Sequence, residues 1–511
     1  MEIKKKNPII WSDFPDPDMV RVEDTYYMIS TTMHMMPGAV ILRSYDLANW
    51  EIASYLYDTL EDNPAHRLED GKNIYGAGMW AASLKYHNGM FYVCFVANDT
   101  HKTYLFTSKS IDGPWEKREI DGFYHDSSLL FDDDGKAYIV YGNRDIYITE
   151  LKEDLSGPKP GGLHKKIITD TDNVSLGYEG AHFYKINGKY YIFFIHWLAY
   201  GSHRRVEACY VSDSPGGEYR GKNVLDDDMG YHNAGVAQGG IVDTPDGDWY
   251  AMLFQDHGAV GRIPVLVPVS WEDDFPVFGE NGKIPIEISV KSTRPDYKYA
   301  PLFESDDFYY QPDANGKISL KKVWQWNHNP KNDFWTVLEK PGCLRIYSDK
   351  ICPDVLNASN VLTQRTFGPR CRASVQVDGT NMKDGDFAGL VAFQGCYGMI
   401  SLARENGEYF LVMRAREDAN SDNKGIEYAR IKISSPEISL KAEFNFIDNI
   451  DEVDFYYKDN GEWKKLGKTH KLRYMLDHFM GCRIGLFFYS TSQIGGNADF
   501  SRFEYGLEVR D

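Results

Sequence analysis

Three carboxylates in the first half of the chain have the setting for proton-transfer chemistry. Asp16 lies in FPDPDMV, Asp126 in HDSSLLF and Glu179 in YEGAHFYKINGKYYIFF. Glu179 is a lone acid within a tyrosine- and phenylalanine-rich run that reads as two buried strands, and burying a carboxylate without a partner is costly. Asp16 and Asp126 have ordinary local uses, because Asp-Pro pairs start turns and an aspartate beside serines can bond nearby backbone. As a group they mean more. Carboxylates gathered in one place repel each other, which raises a pKa and lets one acid hold a proton while another stays ionised. Such a set can take a proton from water with one member and give a proton to a leaving oxygen with another.

The elements that would gather them come from a repeat. Similar hairpins recur in VEDTYYM, HNGMFYV, DDGKAYIV, INGKYYIF and PDGDWYAML, with equivalent turn positions at 25, 89, 135, 188 and 247. Each is followed by a further short strand and a turn, as in YLFTSKSIDGPW and EACYVSDSPGGEY. Strands at a period of roughly 50 residues are the signature of a β-propeller, here with five blades. Nine positions before each turn stand Asp16, Trp80, Asp126, Glu179 and Gln238. The innermost strand of each blade lines the central funnel, so residues at one repeat phase converge on one ring. The three carboxylates then share a pocket with a tryptophan and an amide.

Other residues fit the same pocket or have plainer uses. Trp80 is a candidate floor for stacking a sugar ring, with a core role as the alternative. Arg262, alone before an apolar strand, offers a fixed fork of donors for hydroxyls or a ring carboxylate. Gln238 could line a site or bond buried backbone. His34 is a candidate substrate contact near the cleft; it, His232 and His257 lack zinc-site spacing. The acidic runs at 132–134 and 418–423 lack the spaced ligands of a calcium loop and read as solvated turns. Seven scattered cysteines without a CxxC pair read as buried free thiols. The formal charge of −19, from 56 basic and 75 acidic residues, disfavours nucleic acid and anionic membranes and favours a neutral partner. With no apolar run of signal-peptide or transmembrane length, the expected location is cytoplasmic.

NPIIWSDFPDPDMVRVEDTYYM, HDSSLLFDDDGKAYIVY, YEGAHFYKINGKYYIFF, MWAASLKYHNG and GRIPVLVPVSWEDDFPVFG together make the chain resemble glycoside hydrolase family 43, in the group with a β-sandwich after the propeller. WQWNHNPKNDFW and LTQRTFGPRCRASVQVDG resemble the sandwich of that group, so the likeness runs nearly end to end. The resemblance implies that Asp16 is the general base, Glu179 the general acid, and Asp126 the residue that orients the acid and tunes its pKa. Ala181 stands where proline is common in the family. The resemblance also raises a calcium ion on the propeller axis, which Gln238 and nearby backbone would hold; no organic cofactor is expected.

The expected fold is all-β, a five-bladed propeller over 1–287, a linker at 288–302, and a concanavalin-like β-sandwich over 303–511. The sandwich loop 490–500, STSQIGGNADF, is the candidate for narrowing the pocket. An acid and a base about 6.5–9.5 Å apart would invert the anomeric centre. The expected activity is exo-acting release of terminal or side-chain pentoses from arabinoxylan-derived oligosaccharides, α-L-arabinofuranosidase first, β-1,4-xylosidase or both as the alternative. A fructan or sucrose hydrolase is disfavoured by the missing Asn-Asp-Pro-Asn order, and a sialidase by the missing Ser-x-Asp-x-Gly-x-Thr-Trp turns. A non-catalytic carbohydrate-binding propeller is the more distant reading, since a lectin needs no ring of three carboxylates.

Overall fold

A computed structural model describes residues 2–419 and 424–507, so most of the acidic run 418–423 lies outside the described residues. Five four-stranded antiparallel sheets form the propeller, four of them built from consecutive strands and the first interrupted only by Met35–Met36. Their innermost strands are Asp18–Val22, Met79–His87, Ser128–Phe131, Val174–Ile186 and Ile241–Asp243, in blades one to five. The repeated hairpins hold because of their turns. Gly89, Gly135, Gly188 and Gly247 all have positive φ, and in blades two and four the preceding Asn88 and Asn187 do too. Asn-Gly with both residues left-handed is the tight turn whose twist matches two antiparallel strands. Blade one has no glycine there, and Glu23 takes the positive φ instead.

Around the axis, side chains of each inner strand bond the next blade. Asp18 Oδ2 accepts from Leu84 N at 2.7 Å, Ser83 Oγ from Leu129 N at 3.1 Å, and Ser128 Oγ from Phe183 N at 3.0 Å. Tyr184 Oη then accepts from Ile241 N at 3.0 Å, and Gly240 N donates to the Pro17 carbonyl at 2.9 Å, closing the ring onto blade one. These bonds satisfy strand amides that would otherwise be buried without partners. They also fix the angular position of each blade, and with it the residue that each presents to the funnel.

The second domain is two stacked eight-stranded sheets with no α-helix among the described residues, as the alternating runs of the sequence predict. Propeller and sandwich share one apolar core: Ile9, Ile10, Phe14 and Ile263 are continuous with Trp326, Phe367, Leu486 and Phe488. Blade one also lends Met35–Met36 to a sandwich sheet, where Trp326 pairs with Met36. The stretch expected as a linker is pinned rather than free. Glu287–Lys291 pairs with Glu2–Lys6 in a two-stranded sheet of its own. Tyr297 Oη then donates to Glu51, and Tyr299 Oη to Asp46, on blade one. All seven cysteines are free and buried.

Candidate active site

The ring read from the repeat is present, and its backbone explains its chemistry. Asp16, Asp126 and Gln238, at one phase in blades one, three and five, all have positive φ, at 51°, 47° and 59°. Each sits just before its strand, in a left-handed turn that an L-residue adopts at a cost of about 1–2 kcal/mol. Blades two and four reach the funnel differently. Their inner strands run through the equivalent point with register shifts after Met79 and on both sides of Glu179. Such bulges re-aim a side chain without ending the strand. Gly180 beside Glu179 has φ 64°, a conformation that favours glycine, and a Cβ there would lie 2.5 Å from Gln238 Cδ of the neighbouring blade. Ala181 donates its N–H to the Asp126 carbonyl at 3.2 Å, a bond that proline could not make.

On one wall, Asp16 is 5% exposed and its Oδ1 accepts from Arg262 Nη1 at 2.6 Å. Burial works against the charge on Arg262, but Asp16, Tyr474, Asp13 and Asp256 outweigh it and raise its pKa. The guanidinium lies between the rings of Phe254 and Phe479, at 5.2 and 4.6 Å, with Nε and Nη2 free of protein partners. Those buried donors are available to substrate oxygens.

The opposite wall is a coupled set of titrating groups. Burial pushes the Asp126 carboxyl up; the His125 imidazole opposes this, Glu179 and Asp16 add to it, and the result is about 7. Burial would lower His125, but Asp126 and Glu179 raise it to about 9. His125 Nε2 stands 3.8 Å from Asp126 Oδ2 and 4.0 Å from Glu179 Oε2. Asp126 Oδ1 is buried without a partner. Its tie to Glu179 is therefore one of charge, and the hydrogen bond that Glu179 receives comes from Asn143 Nδ2 at 2.5 Å. Trp80 is half-buried, its ring 5.8 Å from His125 and 5.6 Å from Phe479, so it does line the pocket.

Two expectations are corrected. His34 does not face the funnel: it is fully buried against Tyr75, His328 and His478 beneath the sandwich, at 4.8, 5.1 and 5.5 Å. A segment that looked like a loop is covered by the second domain. The loop 490–500 stays on the sandwich, where Thr491 and Ser492 donate to the Gly385 and Asp384 carbonyls and Lys383 donates to Ile494. The sandwich segment that reaches the pocket is 474–482, carrying Phe479. Asp13 holds it there: Oδ2 accepts from Gly481 N at 2.8 Å while Oδ1 accepts from Arg262 N at 2.9 Å.

Gln238 fits a calcium ion poorly. Its side chain packs against Gly180, and its N–H donates to Glu207 Oε2 at 2.7 Å. Burial pushes Glu207 far towards its neutral form, whereas calcium takes six to eight oxygens and favours charged ones. Positive charge beside Asp18, on the inner strand of blade one, comes from the chain itself. Burial would raise the Asp18 carboxyl, but Lys85 at 3.5 Å and His182 at 3.0 Å hold it at about 2.

A funnel with a buried carboxylate–guanidinium pair facing a protonatable carboxyl cluster, beside an aromatic ring, has the groups that acid–base hydrolysis of a glycosidic bond needs. Comparison with known proteins agrees. Residues 5–276 match glycosyl hydrolases family 43, and residues 316–506 match the β-xylosidase C-terminal concanavalin A-like domain; the chain belongs to family 43. It is 28% identical to a β-xylosidase of Formosa agariphila over 98% of this chain and 90% of that one. It is 27% identical to a non-reducing end α-L-arabinofuranosidase of Bacteroides ovatus over 76% and 73%. Among solved structures, a bifunctional GH43-CE protein of Bacteroides eggerthii superposes with a TM-score of 0.92 at 42% identity. That match covers all of this chain but only 64% of the other, so this chain spans about two thirds of that protein's length.

His125, Asn143 and Phe479 were not found from the sequence. His125 adjoins a residue of the repeat phase, a signal that could have been used. Asn143 sits at a hairpin tip and Phe479 in the other domain, and neither carries a periodic signal.

Proposed function

We propose that this glycosidase is exo-acting and inverting, and that it releases single terminal or side-chain pentoses from arabinoxylan-derived oligosaccharides, with α-L-arabinofuranosidase action first. The observation that carries this is Phe479, brought by the sandwich to 4.6 Å from the Arg262 guanidinium and 5.6 Å from the Trp80 ring, because a ring laid beside the funnel residues favours a short site over an open groove. In the reaction Asp16 accepts a proton from water as the water oxygen attacks the anomeric carbon. Glu179 gives its proton to the glycosidic oxygen as the carbon–oxygen bond breaks, yielding a free pentose of inverted configuration and the shortened alcohol. Asp126 contributes negative charge that favours the protonated form of a neighbouring acid. Trp80 and the unpartnered donors of Arg262 bind the ring and its hydroxyls. The residues around Gln238 do not ask for calcium, and no step uses it.

β-Xylosidase action is the second reading, favoured by the end-to-end likeness to the Formosa enzyme. Measuring kcat/KM on nitrophenyl arabinofuranoside and nitrophenyl xyloside, then on arabinoxylo-oligosaccharides and xylobiose, decides between them. Release of xylose alone would overturn the arabinofuranosidase preference. Efficient internal cleavage of debranched polymer would overturn exo action, and net retention in proton NMR of early product would overturn inversion.

A further inference from the structure

The hairpin joining the second and third strands of blade three, Ala137–Asn143 and Asp145–Leu151, ends in a tip that reaches across to blade four. Arg144 there has φ 64° and Gly142 φ 133°. The tip is held on both sides of Asn143. Gly142 N donates to the His125 carbonyl at 3.1 Å, and Arg144 N donates to the Tyr178 carbonyl at 2.8 Å. Asp170 N donates to the Arg144 carbonyl at 2.9 Å. Two glycines make the approach possible: a Cβ on Gly142 would lie 2.2 Å from the Asp145 carbonyl, and one on Gly177 would lie 2.7 Å from Arg144 Cβ. Asn143 is thus fixed through its neighbours to the residue before Asp126 and the residue before Glu179. Its side chain is exposed to the funnel, and its amide reaches Glu179 Oε2.

A carboxylic acid carries its proton on one oxygen, and the other can only accept. An amide N–H directed at Oε2 makes that oxygen the acceptor. The nitrogen of His125 nearest Glu179 also faces Oε2, and no hydrogen bond among the described residues reaches Oε1. We propose that Asn143 is a positioning residue for proton donation: it holds Oε2 of Glu179 as an acceptor, so that Oε1 carries the proton to the leaving oxygen. As that proton moves to the glycosidic oxygen and the carbon–oxygen bond breaks, Glu179 becomes a carboxylate, and the same amide bond stabilises it. The proposal rests on the reading of Glu179 as the general acid.

A leaving-group series tests it. On phenyl pentosides and disaccharides, which need protonation, Asn143→Ala should lower kcat/KM by about 10–100-fold. On dinitrophenyl pentosides, whose leaving group departs unprotonated, the loss should be under about 3-fold. Asn143→Leu, which keeps the bulk and removes the donor, should behave the same, and the melting temperature should move little because the side chain is exposed. Equal loss across the series, or none, would overturn the proposal. Glu179→Gln run in parallel separates the two claims. If Glu179→Gln shows the leaving-group dependence and Asn143→Ala does not, positioning by Asn143 fails alone; if neither shows it, the general-acid reading fails.

Discussion

The two walls of the funnel solve opposite electrostatic problems. Asp16 is locked to Arg262 at 2.6 Å, inside a guanidinium stacked between two phenylalanines. The Asp126 wall is paired more loosely: His125 stands 3.8 Å from the carboxylate, a buried oxygen lacks a hydrogen-bond partner, and the three ionisable groups stand within 4.8 Å of one another. A base that must never hold a proton at rest is best served by a permanent cation. An acid that must hold and then release one needs neighbours whose charges nearly cancel. The difference is consistent with the proposal of a base on the Asp16 wall and an acid on the other.

Breaking the first wall should have the largest effect. Asp16→Asn is expected to cost about 10²–10⁴-fold in kcat on every pentoside, whatever its leaving group. Glu179→Gln should cost as much on disaccharides and far less on dinitrophenyl pentosides. Steady-state kinetics on the two substrate types would show whether the walls differ in this way.

Phe479→Ala comes next. Removing the ring that stacks on Arg262 and faces Trp80 should raise KM by about 10-fold, from roughly 1–2 kcal/mol of lost stacking and desolvation, with a smaller change in kcat. Kinetics on the preferred nitrophenyl pentoside provide the check.

A smaller effect is on pH. The acid wall titrates as a coupled set, and Asp126 at about 7 and His125 at about 9 both lie above their ordinary 3.8 and 6.5. Activity should fall above neutrality as the cluster loses the proton to be donated. His125→Phe removes a positive charge that lowers Asp126, so the alkaline limb of kcat/KM should move to higher pH by about one unit. Stability should follow the same sign. Both groups bind protons more tightly folded than unfolded, so their contribution declines as pH rises, through 3.8 to about 7 for Asp126 and 6.5 to about 9 for His125. Melting temperatures across that range, for the parent and His125→Phe, test this.

The smallest expected effect is from chelation. With Lys85 supplying positive charge beside Asp18, exhaustive EDTA treatment should leave kcat/KM and melting temperature unchanged. A calcium-dependent loss of either would show that the Gln238 region does hold an ion.

The propeller and its carboxylates were legible because they repeat: hairpins of one type expose a common phase, and nine positions back from the turn lands on Asp16, Asp126 and Glu179. What depends on one domain lying on the other was not. His34 follows a strand and precedes Met-Met-Pro-Gly, which reads as a loop at the rim until the sandwich buries it. The segment 490–500, glycine-rich and polar, looks like a rim loop yet folds back on Asp384 and Gly385. Phe479 has φ 53° in a stretch without alternation, where no pattern marks a side chain aimed at a pocket more than 200 positions from Arg262 in sequence.

The pairing of Met35–Met36 with Trp326 and Asn327 bears on how enzymes of this architecture can be recombined. Those two residues form the terminal strand of a sheet whose other seven strands come from the distal half of the chain. A catalytic half made alone would leave an apolar, unpaired backbone edge in water, beside the Asp13 carboxylate stripped of its Gly481 partner. The distal half alone would lack its outermost strand. Chimeras cut near residue 300 should therefore aggregate unless the hairpin loop around residue 35 is exchanged together with the distal half, which makes the two halves a single unit of inheritance rather than a catalyst with a detachable accessory.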